Sequence, residues 1–419
     1  MQGRKKTNIV LADQALVSGT NFLTGLLLAR FLGLEGYGHF MLAYGLVLFV
    51  SGIQVALIVS PMMVTIPKLD YFDIPIYLKS VTFQQLLFSI ATLIFTGLAI
   101  FLLAGIMRMP QLVALTLPVA FTASAFTTQD FIRRLLIVTD KSAQAFVNDF
   151  ISYGLQLGGL IYWFLNWDQS AYSAFWIISA TSAIAIAHGI FAGWSLIRGD
   201  STRAPSTELS FVSVLIRHWE FGKWLVARNT TYWGASQFLI YLAGAMLSAS
   251  AVGALTATRN IIGFANVLFL ALENIVPTRA AAMLKQRGHV GLKKYLRRVS
   301  LMGSLLTGLI VLIAVAAPEF WLDLVYGEEY AGYGWLVIGW GIYYIVGFFH
   351  RPLSAGLRAL DKTKDIFTAT LFGMIATMLI SYPAISLFKL SGAMISLILV
   401  QIIILIILTY RFRFQIKNT

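Results

Sequence analysis

The 419-residue chain is 58% hydrophobic and only 12% charged, with a formal charge of +13 and a mean hydropathy of +0.79. Soluble proteins carry about 25% charged residues, so this composition excludes an ordinary soluble fold and places the chain in a membrane. At ~20 apolar residues per span plus short loops, about twelve helices use up the length and leave no room for a sizeable soluble domain.

Uncharged apolar runs at 36–67, 81–107, 229–258, 299–318, 366–388 and 391–410 are each long enough to span a bilayer, and none alternates as a strand would. Adding segments with isolated polar groups predicts twelve helices: 9–32, 37–64, 81–107, 110–138, 142–165, 170–197, 222–247, 250–277, 299–317, 331–357, 365–387 and 391–411. The expected fold class is therefore an all-α integral membrane protein. If both termini are cytoplasmic, 27 of the 31 Lys and Arg fall on the inner side, and Glu35, Asp168, Glu319, Asp323, Glu328 and Glu329 fall on the outer side. The positive-inside rule is then obeyed throughout. The same asymmetry accounts for the basic balance without nucleic acid, which 31 cations against 18 acids would otherwise suggest as a partner.

The first predicted helix follows Arg4, Lys5 and Lys6. Its apolar stretch runs to Phe31, longer than the core of a secretory signal, so it reads as a retained span. Asp13, Thr20, Asn21 and Thr24 share one broad sector of it. Arg30 lies off that sector near the outer end, where either snorkelling to headgroups or a cavity role fits. On the fourth helix Asp130 and Arg134 form an i, i+4 pair. On the fifth, Asp149 could couple protons or sodium or could pair with Arg228, while Gly154 and Gly158 make a small-xxx-small pattern that suits helix packing.

The connection at 199–221 divides the chain into an N-terminal six-helix lobe (1–198) and a C-terminal one (222–419). Phe211, Val212, Leu215, Ile216 and Trp219 form an amphipathic stripe within it. A shift of 215 places Gly38 on Gly253, Phe40 on Leu255 and Asp13 on Arg228; a shift of 216 places Pro61 on Pro277. Repeats of six helices share one orientation, as in the halves of a rocking transporter.

The eighth helix carries Arg259, Asn266 and Glu273 at intervals of seven, with Thr256 and Gly263 on the same stripe. On a straight helix such a stripe drifts only ~20° per step, and Arg259 lies roughly 14 Å deep. A charge at that depth is expensive, so it either pairs between helices or faces water and an anionic substrate. Glu273, like Asp149 and Asp13, is a candidate for ion coupling. The tenth helix combines Trp335, Trp340, Tyr343 and Tyr344 with His350, Arg351 and Pro352. Trp335 suits the interface, and Tyr343 and His350 are candidate cavity residues. With no cysteine there is no disulfide, thiolate metal site or cysteine nucleophile. Phosphate-loop, H-E-x-x-H and G-x-S-x-G signatures are absent as well, so neither catalysis nor any metal or cofactor is expected.

The run Ala29-Arg30-Phe31-Leu32-Gly33-Leu34-Glu35-Gly36-Tyr37-Gly38-His39-Phe40, followed by an apolar helix ending at Ser60-Pro61, resembles the Wzx-type O-antigen flippases of the polysaccharide-transporter branch of the MOP superfamily. The stretch from Val252 through Arg259 to Pro277 resembles that family's eighth helix. Leu34 stands where the family usually has Pro. The resemblance implies a bundle of two lobes that rock by alternating access in the bacterial inner membrane. It implies as cargo an undecaprenyl-diphosphate-linked oligosaccharide bound for lipopolysaccharide or exopolysaccharide. Arg259 is then a cationic lumen residue. The substrate-facing set is Arg259, Asn266, Arg228, Arg30, Asn21, Tyr343 and His350, with Asp149, Glu273 and Asp13 as coupling candidates. Membrane lipids and the polysaccharide polymerase and chain-length machinery are candidate partners. The competing readings are a cation-coupled multidrug exporter of the same fold, which calls for an acidic pocket, and a membrane-embedded polymerase or transferase.

Overall fold

A computed structural model describes residues 2–70, 72–197, 210–263 and 265–418. Every regular element among them is helical. The helices are α1 (Gln2–Gln54), α2 (Ser60–Thr65), α3 (Ile74–Met107), α4 (Gln111–Ala114), α5 (Thr116–Val138), α6 (Ser142–Asp149), α7 (Leu155–Asn166) and α8 (Ala171–Ile197). After residues 198–209, which lie outside the described chain, come α9 (Phe211–Met246), α10 (Ala249–Ile261), α11 (Ala265–Ala316), α12 (Pro318–Tyr326), α13 (Gly334–Ala359) and α14 (Thr363–Asn418). Three long helices are each broken into two by one residue: α1 at Gly33 (φ 65°), α11 at Gly288 (φ 61°) and α14 at Lys389 (φ 51°). With these breaks the described helices supply the twelve predicted crossings in order.

Most boundaries agree with the apolar runs, and three differences are informative. The third helix starts earlier than expected, at Ile74, where Pro75 in the first turn has no N–H to lose. The seventh starts at Phe211, so the described part of the amphipathic connection is the opening of α9. The eighth is not one straight helix. The chain turns at Ile262 and Gly263, whose N–H groups donate to Arg259 O and Asn260 O at 3.2 and 2.9 Å, before α11 begins.

The chain divides into two compact units. The first holds Met1–Leu32 and His39–Thr230, and the second holds Gly33–Gly38 and Thr231–Thr419. Five described stretches, Leu16–Lys68, Ile74–Met107, Ala171–Gly193, Ile275–Ala316 and Thr363–Ile416, are long and apolar enough to cross a membrane. The polarity of α3 is inverted relative to a soluble helix. Gln84, Gln85, Ser89, Thr92 and Thr96 are buried, while Leu86, Ile90, Ile94, Phe101 and Ile106 are exposed. Such a helix has lipid as its solvent and keeps its polar groups for the bundle interior.

In the first unit, Ile58, Met62, Tyr77, Leu78, Val81, Leu135 and Val214 form an apolar core. The opening of α9 joins it through Val214 and through His218, which is fully buried with Nε2 2.7 Å from Tyr77 Oη. The predicted stripe is not the buried face: Val212, Leu215, Ile216 and Trp219 are exposed. Helical period alone cannot distinguish a face that meets protein from one that meets lipid. On α7 a Cβ at Gly158 would meet nothing within 4 Å, whereas one at Gly159 would lie 3.2 Å from Ile177, so Gly159 and not Gly158 faces α8.

In the second unit, the elbow at Gly33–Gly38 is held against α10 and the loop after α12. Leu34 N–H donates to Glu329 Oε2 at 3.1 Å, and Asn260 Nδ2 donates to the buried Tyr37 hydroxyl at 3.0 Å. Ser248 caps α10 by accepting from Ala251 N–H at 3.2 Å. A second apolar core, including Val276, Ala280, Leu292, Leu296, Ala355 and Leu408, closes the other end of this unit.

Candidate functional site

Two buried polar regions stand out, one in each unit. In the first unit, Gln54 Nε2 donates to Gln85 Oε1 (3.0 Å) and to Thr127 O (2.7 Å), and Ser89 continues this chain to Thr128 at 2.8 Å. A second network centres on the fully buried Asp149, whose Oδ1 accepts from Gln129 Nε2 at 3.0 Å and whose Oδ2 accepts from Arg133 Nε. Asp130 binds Arg134 at 3.0 Å, the expected i, i+4 pair, and lies 3.9 Å from Arg133. Gln54 and Asp149 each immediately precede a wide helical turn, Val55–Val59 and Phe150–Gly154. Among the described residues this seam brings together two carboxylates and two guanidiniums. The partner of Asp149 is Arg133, one helix away, and not Arg228, which is exposed on α9. Asn21 and Arg30 are also exposed on the first unit. The side chains of Asp13 and Glu273 lie outside what is described.

The second unit encloses a cavity of about 560 Å³ between α9, α10, α11, α13 and both arms of α14. Arg259, Asn266, Tyr343 and His350 all line it. The break at Ile262–Gly263 removes the straight stripe from which Arg259 and Asn266 were predicted to share a face, but both reach the same cavity across the turn. Glu273 cannot be placed with them, and Thr256 is buried with its hydroxyl bonded to Val252 O at 2.7 Å.

Arg259 stands in the last turn of α10, where the helix dipole favours a cation. Its guanidinium lies 5.8 Å from the centroid of the Trp340 ring. Trp340 is fixed by Nε1 donating to Leu255 O at 2.9 Å and packs edge-on against Tyr343 at 5.0 Å. Asn266 Nδ2 donates to the Tyr344 hydroxyl at 3.0 Å, and His350 Nε2 lies 2.9 Å from Gln401 O. Further along α13, Arg351 stacks 4.2 Å over Phe269, and Arg358 also lines the space. Among the described lining residues there are three arginines and no carboxylate. The arrangement can hold an anion beside flat aromatic faces. Arg358 and Gln401 escaped the sequence reading, although α13 carries a signal for the former: Trp340, Arg351 and Arg358 recur at spacings of 11 and 7, which fall on one helical face. No group of three or more potential metal ligands occurs among the described residues.

The MatE family model matches residues 225–383, less than half of the chain. No curated protein sequence matches it significantly. Solved structures match over nearly its whole length at low identity. A multidrug resistance MATE family transporter of the MOP superfamily, in an inward-facing conformation, superposes with a TM-score of 0.74 at 16% identity, covering 97% of this chain and 96% of that one. A MOP superfamily transporter from Pyrococcus furiosus, described as having a binding pocket of reverse polarity, gives 0.59 at 14% identity over 98% and 96%. The lipid II flippase MurJ, in an inward closed conformation, gives 0.64 at 12% identity over 96% and 87%. The chain therefore has the multi-pass fold shared by MATE and MOP-superfamily transporters.

Proposed function

We propose that the chain is a flippase carrying an undecaprenyl-diphosphate-linked oligosaccharide, an O-antigen or other surface-polysaccharide repeat unit, across the bacterial inner membrane by alternating access. The observation that carries this reading is the basic lining of the second unit's cavity, where Arg259, Arg351 and Arg358 are among the described lining residues and no Asp or Glu is. Guanidinium groups grip phosphate oxygens through paired N–H donors, and the aromatic faces of Trp340, Tyr343 and Tyr344 suit sugar rings. The polyprenyl tail stays in lipid. A lipid II flippase of this fold supports a lipid-linked cargo. The cation distribution along the sequence favours an orientation with both termini in the cytoplasm. Arg259, Asn266, Tyr343 and His350 form the substrate-contacting set in this reading.

A cation-coupled multidrug exporter is the competing reading, favoured by the MatE match and by the likeness to a multidrug transporter. Its cationic cargo would meet like charge in this cavity. Deleting the gene and recovering lipid-linked intermediates separates the two. A flippase leaves oligosaccharide-diphosphate lipids in the inner leaflet and cells without the surface glycan. Normal delivery of those lipids to the outer leaflet, with increased sensitivity to cationic drugs, overturns it.

A further inference from the structure

Between Glu273 and Glu319 the chain has no Asp or Glu, yet seven Lys and Arg fall between Arg279 and Arg298. The positive-inside rule accounts for the side of the membrane on which such a cluster lies, but not for the helix face it occupies. The structure supplies the face. After the break at Gly288, α11 continues as one helix into the apolar run that starts at Val299, so Lys293, Lys294, Arg297 and Arg298 stand directly above a membrane crossing.

Measured at 100° per residue from Leu292, the buried positions of this arm, Leu292, Leu296, Thr307, Val311 and Ala314, fall between about 0° and 100°. The exposed Leu301, Leu305, Leu309 and Leu312 fall between about 180° and 260°, the sector that meets lipid. Lys294 and Arg298 lie at about 200° and 240°, both exposed, with Arg297 and Lys293 exposed on one flank at about 140° and 100°.

We propose that Lys294 and Arg298 form a binding site for the headgroup of an anionic phospholipid of the surrounding bilayer, with Arg297 and Lys293 on its rim. The assignment does not depend on what the chain transports. Height along the helix places the four cations at headgroup level. At 1.5 Å per residue Arg298 is about 2 Å and Lys293 about 9 Å beyond the start of the apolar run, and the headgroup layer on each side of the hydrocarbon core is about 5–8 Å deep. Residues at i and i+4 are neighbours, so one ammonium and one guanidinium can converge on a single phosphate while the acyl chains lie along the leucines below. A phosphatidylethanolamine headgroup would bring its own ammonium to the same place, so anionic headgroups are selected. A soluble acidic protein fits the position less well, because it would have to displace these lipids. On the opposite face Leu292 and Leu296 pack into the core with Val276, Ala355 and Leu408, so a lipid held outside braces the end of the unit that this core closes.

The chain has no cysteine, so Leu301→Cys gives a single attachment point for a fluorophore on the lipid face, one turn below Arg297. The full-length variant is labelled with bimane and reconstituted in phosphatidylcholine vesicles that contain a minor fraction of either phosphatidylglycerol or phosphatidylcholine with brominated chains, and quenching is measured. Brominated phosphatidylglycerol is expected to act as though enriched about fivefold at this position, an advantage that fades as salt is raised. The same label on Leu312→Cys, toward the other end of the crossing, is expected to show no preference. Lys294→Gln with Arg298→Gln removes the preference at position 301, and Lys294→Arg with Arg298→Lys keeps most of it. Equal quenching by the two lipids, a preference that survives the double Gln variant, or an equal preference at position 312 overturns the site. Displacement of brominated phosphatidylglycerol by undecaprenyl diphosphate at a far smaller mole fraction than unlabelled phosphatidylglycerol requires also overturns it, and gives these cations to the cargo instead. Displacement by the two lipids at comparable fractions supports it.

Discussion

Gly38 and Gly253 touch backbone to backbone. A Cβ on Gly253 would lie 3.3 Å from Gly38 N and would overlap the Leu34 carbonyl oxygen, and one on Gly38 would overlap that of Ala249. These are the two glycines that a shift of 215 brings into register, and both lie in the second unit. Both alanine variants force a backbone to move. Gly38→Ala and Gly253→Ala should each cost about 1–3 kcal/mol or more and lower the yield of folded protein. Gly158→Ala, with open space around it, should be neutral or slightly stabilising. Thermal unfolding in detergent measures all three, and unchanged midpoints for Gly38→Ala and Gly253→Ala would remove this contact from the account.

The seam in the first unit predicts a large stability effect at Asp149. Breaking a buried ion pair strands the remaining charge, at a cost of about 3–5 kcal/mol, whereas replacing both partners costs less. Asp149→Asn should therefore destabilise strongly, because Arg133 is mostly buried at 11% side-chain exposure. Adding Arg133→Gln should recover much of that loss. If Asp149 instead serves only in ion coupling, Asp149→Asn keeps wild-type unfolding and loses transport, and the double variant recovers nothing.

His218 predicts how stability depends on pH. It lies on α9 before the predicted span at 222–247, and burial lowers its pKa from 6.5 to about 4, with the Arg217 charge acting in the same direction. The unfolded chain therefore binds a proton below pH 6.5 that the folded chain binds only near pH 4. The stability from keeping this imidazole neutral is complete above pH 6.5 and is lost as the pH falls toward 4, at roughly 1.4 kcal/mol per pH unit. Between pH 7.5 and 5 the unfolding temperature should drop more for the wild type than for His218→Gln. Parallel pH curves for the two proteins would show that His218 carries no such linkage.

The crossings were legible because membrane insertion demands long apolar runs, which leave little room for any other pattern. The sector of α13 that faces the cavity was present in the spacing of Trp340, Arg351 and Arg358 but was masked by the aromatic residues around it. Three features were not legible. Gly263 is one of 34 glycines, and nothing in its neighbours distinguishes a helix break from a helical glycine. Asp149 had several cations within plausible reach, and only the fold selects Arg133. The stripe on the opening of α9 was visible, but not which side it faces, because lipid and protein core attract the same side chains; Val212, Leu215, Ile216 and Trp219 are exposed.

Arg259 carries the functional argument most directly. Among the described residues its support is the end of α10 and the Trp340 ring, 5.8 Å away. Arg259→Ala should therefore reach the membrane in normal amounts and unfold at nearly the wild-type temperature, yet lower complementation of a surface-polysaccharide defect by about tenfold or more, as expected for a lost charge-assisted phosphate contact. Arg259→Lys keeps the charge but not the paired donors and should fall between the two. Trp340→Phe keeps an aromatic face but loses the second ring and the bond to Leu255 O, so its transport should fall less than that of Arg259→Ala. Glycan display at wild-type level in Arg259→Ala cells, with the protein present, would exclude Arg259 from the substrate path.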